Sequence, residues 1–167
     1  NIKLLESARY KYIIGARIKN ESGEVKQWIL SLEKRDRVFY EQAKGQTRLI
    51  VGYSESRAKK DRYNRDKGVR RLEKDYKGGK IAKENINKRG CNKFLELSNN
   101  VEVVINREMI KEDEQWDGLK GYITNTDLPA DEVYEQYNGL WVIERAYRVT
   151  KGTLEMRPMF HFTPKRI

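Results

Sequence analysis

All of the surplus charge in this chain lies in one stretch, which limits where a core can form. Residues 57–93 hold fifteen Lys and Arg against five Asp and Glu, a surplus of ten that equals the net charge of all 167 residues. The rest of the chain is therefore neutral overall. Only 38% of residues are apolar while 36% are charged, so the core must be small relative to the surface. Charge concentrated in this way argues for a surface that faces a polyanion. The length fits one domain, or one domain with a sizeable insertion.

On either side of that stretch the pattern becomes apolar. Residues 10–18 are β-branched and aromatic in a nearly unbroken run, which predicts a strand buried in a sheet. Residues 37–43 and 47–53 flank Lys44-Gly45-Gln46 and read as an antiparallel hairpin. Residues 25–32 fit a helix or a strand. Ser54 is placed to cap a helix through about Tyr76. Residues 93–97 and 101–105 read as strands joined at Ser98-Asn99-Asn100. Residues 110–116 suggest a short acidic helix or a turn, and residues 121–124 a last strand. Thr126 or Asp127 is the expected cap of a long final helix, with Pro129 in its first turn and Gly152 as its stop.

That final helix carries the most specific chemistry. At about 100° per residue, Tyr137, Trp141, Glu144, Arg148 and Lys151 share one stripe, about 21 Å long at about 1.5 Å per residue. A lone acid among cations and aromatic rings weakens a purely phosphate-binding surface. It makes sense if the acid holds a metal ion while its neighbours hold DNA. Arg145 and Arg148 can clamp phosphates bidentately. Leu140, Ile143 and Tyr147 form the neighbouring apolar face and are expected in the core, with Trp141 packing on the sheet.

Tyr137, Glu144 and Lys151 occupy three positions of the pattern Y-x2-R-x3-E-x6-K, with Leu140 at the arginine position. In this the helix resembles the signature helix of bacterial insertion-sequence transposases of the DDE class, in the cut-and-paste group. Asp117-Gly118, Tyr122-Ile123-Thr124-Asn125 and Leu154-Glu155-Met156-Arg157-Pro158 match the flanks, and residues 12–20 resemble the strand after the second catalytic Asp. The resemblance implies an α+β chain. Residues 1–19 and 117–167 would form part of a ribonuclease-H-like core, and residues 20–116 a large antiparallel β-rich insertion with the basic helical region. It implies Glu144 as the catalytic, metal-binding acid, sharing Mg²⁺ or Mn²⁺ with two Asp ahead of residue 1. Tyr137 and Lys151 would contact DNA beside it. Arg145, Arg148, Lys59, Lys60, Arg70 and Arg71 are further DNA-binding candidates. The implied partner is double-stranded DNA, as transposon ends and target, held by a homodimer in the bacterial cytoplasm near the nucleoid. A fragment lacking both Asp is expected to be inactive alone.

Other classes find less support. Cys91 and His161 cannot make a four-ligand zinc site, and one cysteine excludes an internal disulfide. No run of about 18 apolar residues and no signal pattern is present. Asp117 reads as a turn acid before Gly118, and Asp61 as a helical partner of Arg57 or Arg65. An apolar stripe of Ile2, Leu4, Leu5 and Ala8 without a preceding cap is expected of a piece of a longer protein. Two other functions fit the same residues: a non-catalytic nucleic-acid-binding module working through residues 57–93, and a ribonuclease-H-like hydrolase acting on RNA.

Overall fold

The computed structural model describes residues 2–98 and 102–152. The expected hairpin forms from β2 (Phe39–Lys44) and β3 (Thr47–Tyr53), paired from Phe39↔Gly52 to Lys44↔Thr47. Gly45, in the left-handed region at φ 62°, makes its two-residue turn. Two distant strands complete the sheet. β1 (Ile13–Ala16) and β6 (Leu119–Thr124) pair from Ile13↔Thr124 to Ala16↔Gly121, and β6 also pairs with β3. The order is β1-β6-β3-β2, antiparallel throughout. Thus β2 and β3, from within residues 20–116, lie in one sheet with the strands that flank that region. Mixed helix and antiparallel sheet make the chain α+β.

Strand alternation in β3 sends Leu49 and Val51 to one face and Ile50 to the other, and all three are buried. On the first face they meet α2 (Gly23–Ser31), the segment whose pattern fitted helix or strand; Ser22 caps it and Ile29 is fully buried. On the other face Ile50 and Tyr122 meet Val133 of α5 (Ala130–Gly152). Each such buried side chain contributes about 1.5–3 kcal/mol, so these two thin layers carry much of the stability.

A smaller core lies apart from the sheet. α3 (Glu55–Lys77), capped by Ser54 as expected, runs on from β3 and buries Val69 and Leu72 against Phe94, Leu95 and Val103. β4 (Leu95–Ser98) pairs with β5 (Glu102–Ile105), and α4 (Arg107–Glu114) follows under an Asn106 cap. α1 (Ile2–Ser7) precedes β1.

Three expectations change. The run at 10–18 yields a four-residue, half-buried strand at the sheet edge, because β1 pairs only with β6 among the described residues; Tyr12 and Ile18 are buried just beyond its ends. α5 begins at Ala130, with the Val133 N–H donating to the Pro129 carbonyl (3.0 Å), so neither Thr126 nor Asp127 caps it. Thr126 instead bonds Thr124 (2.9 Å), and Asp127 lies near Lys11 (3.6 Å). Third, Leu140, Trp141, Ile143 and Tyr147 are each more than half exposed and not in the core. Asn99, Asn100, the motif at 154–158, His161 and Pro164 lie outside the described residues.

Candidate functional site

Tyr137 determines where α5 leaves the sheet. Its ring meets Tyr122 at 4.9 Å between centroids, and its hydroxyl lies 2.6 Å from where a Cβ on Gly15 would sit. Only a residue without a side chain at position 15 lets the helix come this close to β1. Tyr134 packs on Phe39 at 5.1 Å, so the first turns of α5 span the sheet from β2 to β1. Burial, with the neighbouring Tyr134 and Tyr137, pushes the Tyr122 phenol well above its ordinary value. Tyr137, expected to contact DNA, is half-buried, with its ring packed against the core at Tyr122.

Beyond Tyr137 the helix runs clear of the sheet, and every residue from 139 to 149 is exposed. Projected at about 100° per residue, Leu140, Val142, Ile143, Ala146, Tyr147 and Val149 fill more than half its circumference. Trp141, Glu144, Arg145 and Arg148 share the remaining sector. A helix apolar over so wide an arc has the pattern of a buried element.

The Glu144 carboxylate is 71% exposed and accepts a hydrogen bond from Arg148 Nη2 at 2.7 Å. Exposed i,i+4 pairs contribute about 0.3–0.5 kcal/mol, too little to prevent exchange for a stronger partner. No group of three His, Cys, Asp or Glu able to hold a metal occurs among the described residues. Glu144 by itself therefore does not fit a Mg²⁺ or Mn²⁺ site. Arg145 is exposed on the same sector, and the Lys151 side chain lies outside the described ones.

The basic candidates on α3 divide into two kinds. Lys59 pairs with Glu55 at 2.8 Å, which raises its pKa chiefly through that hydrogen bond, and Arg71 lies 3.9 Å from Asp75. Lys60 and Arg70 are exposed, and no carboxylate partners them among the described residues; Arg70 Nε donates to the Asp66 carbonyl at 3.3 Å.

Both acids that could be mistaken for metal ligands have structural partners. Asp61 accepts from Arg57 Nε at 2.9 Å and from the Gly118 N–H at 3.3 Å. Asp117 accepts from Arg65 Nη1 at 2.5 Å, with Glu114 3.6 Å from the same guanidinium. Arg65 is 6% exposed. Burial opposes its charge, but the Asp117 hydrogen bond leads a set of attractions that raise its pKa on balance. Nearby, Asp113 accepts from Lys19 (2.6 Å) and Lys93 (2.7 Å); burial works against its carboxylate, yet those two cations hold its pKa below the ordinary value. These ion pairs join the sheet to the smaller core. Sequence reading missed them because Arg65 and Asp117 stand 52 positions apart.

Compared with protein families, curated proteins and solved structures, the chain matches none.

Proposed function

We propose that this chain is the later part of the catalytic region of a DDE-type transposase, which cuts insertion-sequence ends and joins them to target duplex DNA. Glu144 is its catalytic acid, and the working form is a homodimer on paired ends. One observation supports this reading above the others: three of the four segments that resemble the family, those within the described residues, meet in space. β1 and β6 pair side by side although about 110 residues separate them, and the signature helix crosses β1 with Tyr137 on Gly15.

The course of α5 adds weight. Glu144 lies two turns, about 10.5 Å, past Tyr137 on the same side of the helix, so the sheet-facing side continues beyond the β1 edge with Glu144 on it. Strands beside β1, at about 4.8 Å spacing, would run beneath Glu144 on the sheet-facing side of the helix. In a ribonuclease-H-like core completed this way, such strands bring the two aspartates of the resemblance towards the carboxylate. Mg²⁺ or Mn²⁺ would depend on those aspartates, and no chemical step through the ion follows from the described residues.

The test is Glu144→Gln in the full-length protein. Cleavage and joining of labelled ends should fall by at least about 10³-fold, a ΔΔG‡ of about 4 kcal/mol, while binding to the uncut end stays within about twofold. Cleavage at the unmodified rate would overturn the assignment. A second reading, a non-catalytic DNA-binding module, is favoured by the exposure of Glu144 and by the lack of an acid cluster among the described residues. It predicts that no variant at Glu144 affects joining.

A further inference from the structure

We infer that the outer face of α3 is a docking surface for the phosphate backbone of duplex DNA, separate from the Glu144 region. Lys60, Tyr63, Lys67, Arg70, Lys74 and Lys77 recur at alternating steps of three and four residues and are all exposed. At about 1.5 Å per residue they form one straight stripe about 26 Å long. The buried residues of the helix, Ala58, Arg65, Val69 and Leu72, lie on the opposite side.

The acids of α3 are kept off this line. Asp61 is turned to Arg57 and Gly118, Glu73 to Arg107 (2.5 Å), Asp75 to Arg71, and Glu55 to Lys59. Asp66 lies at the margin, about 40° from Arg70 on the helix circumference. Among the described residues Lys60, Lys67, Lys74 and Lys77 have no carboxylate partner, so their charge remains available. Five cations thus stand on one rigid line, about 6 Å apart on average along the helix axis.

That pattern selects among polyanions. A protein interface is apolar at its centre and depleted in lysine, whereas this stripe has no apolar residue except Tyr63. A membrane-surface helix needs an apolar face turned outward, and α3 buries its apolar face in the smaller core. Single strands are held by several stacking rings, and the stripe offers one. A duplex supplies regular phosphates that lysines neutralise without reading bases. The choice of DNA over RNA rests on the transposase reading; the phosphate docking does not.

The experiment compares Lys67→Gln/Lys74→Gln with Lys3→Gln/Lys111→Gln, which removes equal charge from exposed sites off α3, in the intact chain. Affinity for a fluorescent 30-base-pair DNA of arbitrary sequence is followed from 50 to 200 mM salt, with far-UV circular dichroism as the folding control. The unmodified chain should bind with an affinity that falls steeply as salt rises. The stripe pair should lower the magnitude of the log K against log salt slope by about 1.8, at about 0.9 per contact, and weaken binding at least about tenfold at 50 mM. The control pair should leave the slope within about 0.3. Equal effects of the two pairs would overturn the inference, as would tighter binding to single-stranded DNA or to duplex RNA. Glu144→Gln should bind like the unmodified chain, so loss of strand transfer and loss of docking are separable outcomes.

Discussion

Replacing Arg65 with Met should show how far the junction between α3 and the sheet depends on one buried charge. Met keeps much of the apolar stem and removes the guanidinium. Asp117, its side chain 12% exposed, then loses a 2.5 Å charge-assisted bond in a site water hardly reaches, and Glu114 loses a weaker contact. Removing one partner of a buried pair costs about 3–5 kcal/mol, because the other charge is left uncompensated. Against a total stability of about 5–15 kcal/mol, Arg65→Met should lower the urea midpoint by about 1.5–2.5 M at a slope of about 2 kcal/mol/M. Asp117→Asn should cost less, because a neutral amide still accepts from the guanidinium. If the stranded charge is the cause, Arg65→Met/Asp117→Asn will be more stable than the sum of the single changes by about 2 kcal/mol. A midpoint for Arg65→Met within about 0.3 M of the unmodified chain, or strict additivity, would refute the reasoning.

Two further perturbations test the packing and the charges. Gly15→Ala places a methyl 2.6 Å from the Tyr137 hydroxyl, and should cost about 1–3 kcal/mol through overpacking; in a Tyr137→Phe background thermal unfolding should show most of that loss recovered. Asp113 has a folded pKa below its ordinary value of 3.8, so the unfolded chain takes up its proton first as pH falls. Its stabilisation is therefore complete above about pH 5 and fades as pH drops through 4 towards the folded value. The stability gap between the unmodified chain and Asp113→Asn, from urea titrations at pH 7, 4 and 3, should be widest at pH 7 and narrow at pH 3.

The parts of the fold legible in the sequence were those governed by local physics. The hairpin at Gly45, the Ser54-capped helix and the strand pair 95–98 and 102–105 follow from alternation, turn chemistry and capping within a few residues. What depended on distant partners was not legible. Nothing near residue 15 says that a tyrosine 122 positions later rests on it, or that β1 ends at a sheet edge. Glu144 stood out because the spacing to Tyr137 and Lys151 is a helical property, but its surroundings are not. The apolar residues around it gave a core pattern, whereas the described structure leaves them exposed. The α3 stripe was within reach, since the 60-63-67-70-74-77 spacing is periodic. Of the four α3 cations singled out by charge, Lys60 and Arg70 lie on it, whereas Lys59 and Arg71 face Glu55 and Asp75, because charge density does not reveal which lysines and arginines already have partners.

The central claim is that Glu144 works together with two aspartates beyond the described residues, and the most direct measurement is a structure of the full-length protein bound to its DNA end. Two metal ions about 3.5–4 Å apart, each about 2.1 Å from its oxygen ligands, require the Glu144 carboxylate and both aspartates to lie within about 8 Å of one another. That separation, with strands extending from β1 lying beneath the Glu144 side of α5, is the predicted result. A Glu144 carboxylate still paired only with Arg148 in solvent, far from any other acid, would contradict it.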